Sequence, residues 1–234
     1  MAIRYIAKTE DYWLKAKLET GVVRSLPYGL KVDLAVIKDG REHFQILEGV
    51  YKGKKASVTA RAGQSYLTTN IQHCPPMVVR FNLKNQTIYF GADGPYNAFS
   101  DGGHDSYTPI SPGTYLLAIP SHPADAPRPA YKAYSWFYKV WFRIGIETSG
   151  TRFLHTGMIS HGCVTVRTFD YKPDDGKVLP AGFTDLAQEA KDRPGLLGLP
   201  FPKEPQLTID WDDIVNELIL RRFNDQAVGQ LVVT

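Results

Sequence analysis

The sequence predicts a mainly β protein: a small N-terminal β module, then a larger β domain that closes with a helix and a strand. Three observations carry this. Short runs of β-branched and aromatic residues recur between Gly, Pro and Asp turn signals. The runs Met77 to Leu83 and Thr87 to Phe90 flank Lys84-Asn85-Gln86 as the arms of a hairpin would. One segment, Asp210 to Arg222, has the best helical pattern of the chain.

Within residues 1–72 the strand candidates are Val22-Val23-Arg24, Leu30 to Val36, Phe44 to Leu47 and Ala56 to Thr59. Pro27-Tyr28-Gly29, Lys38-Asp39-Gly40 and Lys52-Gly53 punctuate them as turns. Asp11 to Leu18 fits a short helix as well as a strand. Beyond the hairpin, Gly91 to Gly94 reads as a turn and Asp101 to Ser106 as a polar loop. Thr108-Pro109-Ile110-Ser111-Pro112-Gly113-Thr114 turns the chain into a strand, Tyr115-Leu116-Leu117. Three prolines between Ser121 and Ala130 exclude helix or interior strand there and leave an exposed loop. Val140 to Ile146 returns to strand, Thr148-Ser149-Gly150 turns, and Arg152-Phe153-Leu154 leads into His155. The helix has acids in its first turn, bases in its last, and Trp211, Ile214, Val215 and Leu218 on one face. Gly229 to Val233 makes the final strand.

These elements suggest residues 1–72 as the small β module and 73–234 as the larger domain, with a Pro- and Gly-rich insertion at about 168–207. At 234 residues, 43% hydrophobic and 22% charged, the chain holds enough apolar material for a core, which excludes disordered and fibrous classes. Charge is uneven: residues 1–72 carry 12 basic and 7 acidic side chains, whereas residues 168–234 carry 7 and 12. A basic front of this kind could meet an anionic polymer or the acidic tail, although scattered charge usually reports only solvation.

Two cysteines cannot form a disulfide scaffold, a four-ligand zinc cluster or a Cys-x-x-Cys pair. Cys74, beside Pro75-Pro76, has no chemical company and reads as an inert linker thiol. Cys163 lies in the densest chemical stretch of the chain, Leu154 to Arg167. A nucleophilic cysteine needs an imidazole or cation nearby to become thiolate at neutral pH, and His155 and His161 lie within eight positions of it. Gly162 permits a tight turn that could aim backbone N–H groups at a developing oxyanion. Three other readings stand beside this one. Cys163 could be a buried small hydrophobe. His155, His161 and Cys163 could bind zinc, with His104 or Asp105 as the fourth ligand. Arg167 could bind a substrate carboxylate or be a surface residue. The aromatic set Tyr131, Tyr134, Trp136, Phe137 and Tyr138 reads as core, with a lid as the sharper alternative.

Ser160-His161-Gly162-Cys163-Val164, with His155 upstream, resembles the signature of the L,D-transpeptidase (YkuD-type) family, bacterial cysteine enzymes that remodel peptidoglycan peptides. The likeness extends to the hairpin, to the Thr108 to Thr114 segment, and to the terminal helix and strand, so it covers residues 77–167 and 208–234. It implies an L,D-transpeptidase-like β domain with Cys163 as nucleophile and His155 as general base. It also implies His161 and Ser160 as motif residues shaping the site, and Gly162 and Cys163 as oxyanion donors. Arg167 and Thr165 become the substrate-binding candidates. The sequence departs from the family pattern in three ways: the short gap from His155 to Cys163, Thr165 where Arg or Asn is usual, and the insertion. The short gap resembles a divergent branch that includes secreted antibacterial effectors.

The resemblance implies acyl transfer on peptidoglycan stem peptides through a thioester: transpeptidation, D-amino-acid exchange or carboxypeptidase cleavage. It calls for no cofactor, metal or nucleic acid, and for an immunity protein as partner if the chain is a secreted effector. The alternatives are a non-catalytic cell-wall peptide-binding module and the zinc protein described above. Neither a signal-peptide core nor a run of about 18 apolar residues is visible, so no membrane span is expected. The expected location is the periplasm or cell wall, or outside the cell after export without a signal.

Overall fold

A computed structural model describes residues 2–9, 12–60, 64–72, 74–100, 108–119, 141–145, 152–156, 160, 162–166, 211–223 and 227–234. The loops expected at 101–106 and 121–130, the turn at 148–150, the aromatic set at 131–138 and the insertion at 168–207 lie outside these residues.

The first seven strands are β1 (Ala2–Ile6), β2 (Trp13–Leu18), β3 (Val23–Pro27), β4 (Lys31–Lys38), β5 (Arg41–Ile46), β6 (Lys55–Thr59) and β7 (Leu67–Thr68). They form one antiparallel sheet in the order β3-β2-β6-β5-β4-β1-β7. The helix option at Asp11 to Leu18 is resolved as β2: Leu14, Ala16 and Leu18 are buried while Lys15 and Lys17 are exposed, a period of two that only a strand produces. The β4–β5 hairpin turns at Asp39 and Gly40, both with positive φ (52° and 70°), as a type I′ turn requires. Ile6, Leu14, Leu26, Val32, Phe44, Ile46 and their neighbours pack into a core of this sheet.

The remaining strands close a barrel. They are β8 (Met77–Asn82), β9 (Thr87–Phe90), β10 (Asp93–Phe99), β11 (Gly113–Ala118), β12 (Phe142–Ile144), β13 (Phe153–Thr156), β14 (Val164–Val166) and β15 (Ala227–Val233). The order around the ring is β10-β14-β13-β12-β11-β15-β8-β9. Two neighbouring pairs are parallel, β13 with β14 and β15 with β8. The expected turn at Gly91 to Gly94 is shorter than predicted, because β10 begins at Asp93 and admits Gly94-Pro95 at a register shift against β9.

Helix α1 (Trp211–Leu220) supplies the largest core side chain. The Trp211 ring meets Phe90 and Phe142 edge-on, each at 6.3 Å between centroids. Those phenylalanines sit on β9 and β12, opposite walls of the ring, so Trp211 fills the barrel interior. The bases expected in the last turn of the helix fall just past its end: the Arg221 and Arg222 N–H groups donate to Leu218 O and Ile219 O. Arg222 then reaches the first sheet, where Nη1 donates to Gly29 O at 2.7 Å and Nη2 pairs with Glu48. Tyr12, Trp13 and Tyr28 of the sheet region pack into the barrel's hydrophobic cluster. Among the described residues, no helix is long and apolar enough to cross a membrane.

Candidate active site

The site begins with the parallel pair β13–β14, in register Leu154 with Val164, His155 with Thr165 and Thr156 with Val166. Leu154, Val164 and Val166 are fully buried in the barrel core. Side chains alternate along a strand, so His155 and Thr165 share the outer face, and Cys163 lies in the bend immediately before β14. Across β12, Phe142 opposite Leu154 brings Trp141 level with His155. The outer face therefore carries a row of Trp141, His155 and Thr165, with Arg143 opposite Phe153 beside it.

The imidazole of His155 is 2% exposed and held from three directions. Nδ1 lies 2.8 Å from Thr156 O. A carbonyl only accepts, so Nδ1 carries the proton and Nε2 presents its lone pair. Nε2 lies 3.2 Å from the Thr165 hydroxyl, which donates to it. The indole of Trp141 stacks on the ring at 3.9 Å between centroids and 13° between planes.

Cys163 is a free thiol, 7% exposed, at the end of a tight turn. Ser160, fully buried, donates its hydroxyl to Cys163 O at 2.7 Å and so closes that turn. Gly162 has φ +79°, and a Cβ there would lie 2.6 Å from Thr108 O, so both its conformation and its contact require glycine. Ser100 connects the same pieces: its hydroxyl donates to Gly162 O at 3.4 Å and accepts from Ile110 N at 2.8 Å. The Thr108 to Thr114 segment is thereby anchored against the cysteine turn. Burial pushes the Cys163 thiol above its ordinary value, while a hydrogen bond with the Phe153 main chain and the charge of Arg152 pull it down.

No protein-family model, curated protein or solved structure matches this chain.

Of the residues expected from the sequence, Cys163, His155, Ser160, Gly162 and Thr165 come together on one stretch of the barrel. Thr165 is fully buried with its hydroxyl on the imidazole, a position that orients His155. His161 and Arg167 lie outside the described residues, as do His104 and Asp105. Among the described residues no group of three or more His, Cys, Asp and Glu side chains gathers that could hold a metal ion. Sequence reasoning missed Trp141, Arg152 and Ser100 as parts of the site. It also gave Thr108 no contact with the turn. Only the strand register and the packing of the Thr108 segment bring these residues in, and neither has a local signal.

Proposed function

We propose that the chain is a cysteine acyltransferase or peptidase acting on peptidoglycan stem peptides through a thioester. One observation carries the reading. His155 stands in register with Thr165 on the β13–β14 pair, Cys163 lies immediately before β14, and the imidazole is fixed in the tautomer that leaves Nε2 free of a proton.

In this reading the Thr165 hydroxyl, which occupies Nε2 of His155 at rest, gives way, the Cys163 thiol passes its proton to that nitrogen, and the sulfur attacks a stem-peptide carbonyl. The Sγ–C bond forms, and the oxyanion is met by the backbone N–H groups of Gly162 and Cys163. The C–N bond then breaks, the imidazolium returns the proton to the departing amine of a terminal D-amino acid, and a thioester remains. An acceptor amine gives a cross-link or an exchanged D-amino acid, and water gives a shortened stem. The face of Trp141 attracts the imidazolium formed on the way, a contribution of about 0.5–2 kcal/mol. Such chemistry belongs in the periplasm or cell wall, or at a target cell, where an immunity protein would be a partner.

The resting thiol is buried and held protonated, which favours as a second reading a module that binds cell-wall peptide without turnover. Mass spectrometry after incubation with tetrapeptide stems separates the two. The acyltransferase predicts an adduct on Cys163 that disappears in Cys163→Ala and His155→Ala. Retained binding with neither adduct nor product would sink it. A stronger loss in His161→Ala than in His155→Ala would move the base to His161.

A further inference from the structure

Arg152 stands one residue before Phe153, whose main chain is hydrogen-bonded to the Cys163 sulfur. Its guanidinium carbon lies 3.8 Å from the point where a Cβ on Gly162 would sit, so the cation rests over the turn that carries the thiol. Nη2 donates to Thr108 Oγ1 at 3.1 Å. Thr108 is itself anchored, with its carbonyl packed on Gly162 and Ile110 of the same segment bonded to Ser100. Among the described residues, the Thr108 hydroxyl is the only hydrogen-bond partner of the guanidinium, and no acid pairs with it.

A guanidinium has five N–H donors in a rigid planar fork, and among the described residues one is engaged. The planar group that satisfies such a fork two bonds at a time is a carboxylate or phosphate. A donor fork fixed beside a nucleophile can orient a substrate as well as attract it, because the anion it binds sets where the neighbouring carbonyl lies.

We propose that Arg152 is the anion-recognition residue of the Cys163 site and selects acyl donors that carry a carboxylate within a few bonds of the carbonyl under attack. This rests on the reading of Cys163 as a nucleophile. A peptide ending in a D-amino acid meets the requirement, since its terminal carboxylate lies on the leaving group. The same peptide with an amidated terminus does not.

The test compares alkylation of Cys163 by iodoacetate and by iodoacetamide at one pH, followed by site-resolved mass spectrometry. Each reaction forms an Sγ–C bond and breaks a C–I bond, releasing iodide and leaving the thiol proton in solvent. The reagents differ chiefly in charge, and the thiolate fraction cancels in the ratio of their rates. N-acetylcysteine amide supplies the reference ratio. The ratio of iodoacetate to iodoacetamide at Cys163 should exceed the reference by about threefold to tenfold, the size of a single attraction across ~5 Å screened by the water around the partly exposed guanidinium. The excess should shrink as salt is added. Arg152→Met should bring the ratio down to the reference, and Arg152→Lys should retain part of the excess.

A wild-type ratio equal to the reference, a ratio unchanged in a folded Arg152→Met, or a native thiol that neither reagent modifies overturns the assignment. Acylation by stem peptides without charge preference would remove the role of Arg152 alone. Charge preference without acylation would remove the transpeptidase reading alone.

Discussion

The Thr165 hydroxyl and Nε2 of His155 meet at 3.2 Å across a parallel strand pair, joining a buried polar side chain to the ring nitrogen that faces the outside of the barrel. Thr165→Val keeps the shape and deletes this hydrogen bond. It should cost about 1 kcal/mol in urea unfolding and, with the base less well oriented, slow Cys163 acylation roughly tenfold. Thr165→Ser should retain most of both. Equal acylation rates in wild type and Thr165→Val would show that the hydroxyl does not position the base.

Gly162 and Thr108 are held together by backbone, 2.6 Å from a hypothetical Cβ to the carbonyl oxygen. Gly162→Ala must adopt a left-handed conformation and displace the Thr108 segment. A strain of about 2 kcal/mol or more is expected, which at 2–4 °C per kcal/mol for a chain of this size lowers Tm by roughly 4 to 8 °C. Differential scanning calorimetry reads this directly. An unchanged Tm would mean that the turn has room the geometry denies it.

Cys163 should react as a thiol whose proton is held too long. Burial raises its pKa above the ordinary value, so at neutral pH the free protein carries less thiolate than free cysteine does. The rate of iodoacetamide labelling at Cys163 should climb with pH and reach half its maximum above the midpoint of a model thiol. The sign for stability follows. The raised pKa leaves stability intact below the unfolded-state pKa, and stability falls as pH rises through the folded one. A labelling midpoint below the model thiol would contradict the burial argument.

Arg222, at the end of α1, donates to Gly29 O and pairs with Glu48, so a barrel residue holds a turn and an acid of the first sheet. Its side chain is 7% exposed, and that of Glu48 is 20% exposed. Arg222→Met removes both contacts and leaves the Glu48 carboxylate, among the described residues, with Lys31 N as its hydrogen-bond donor. A loss of about 2–3 kcal/mol in urea is expected, the scale of hydrogen bonds to charged groups. Limited proteolysis should show faster cutting between β7 and β8. A variant as stable and as resistant as wild type would show that the clamp carries no load.

Much of the fold was legible because its signals are local. The Asp39-Gly40 turn, the β8–β9 hairpin, α1 and β15 each follow from a few adjacent residues whose φ preferences or periodicity admit one structure. β10 was not legible, since Gly94-Pro95 reads as a turn until a bulge against β9 accommodates it. Asp11 to Leu18 was undecided because a short segment with both lysines and apolar residues fits two periods. Pairing with β3 and β6 settled it in favour of a strand.

For the candidate site, the sequence by itself determined the contiguous part: Ser160, Gly162 and Cys163 form one turn, and their roles in it follow from adjacency. It also named His155, though not what holds the ring. Only the tertiary structure decided that β13 and β14 run parallel in register, that Trp141 stacks on His155, and that Arg152, Thr108 and Ser100 meet at the cysteine turn. The reason is one of range. Turn chemistry and side-chain periodicity act over a few residues. The register between strands is chosen by burying Leu154, Val164 and Val166 together inside the barrel, a requirement that involves the whole ring.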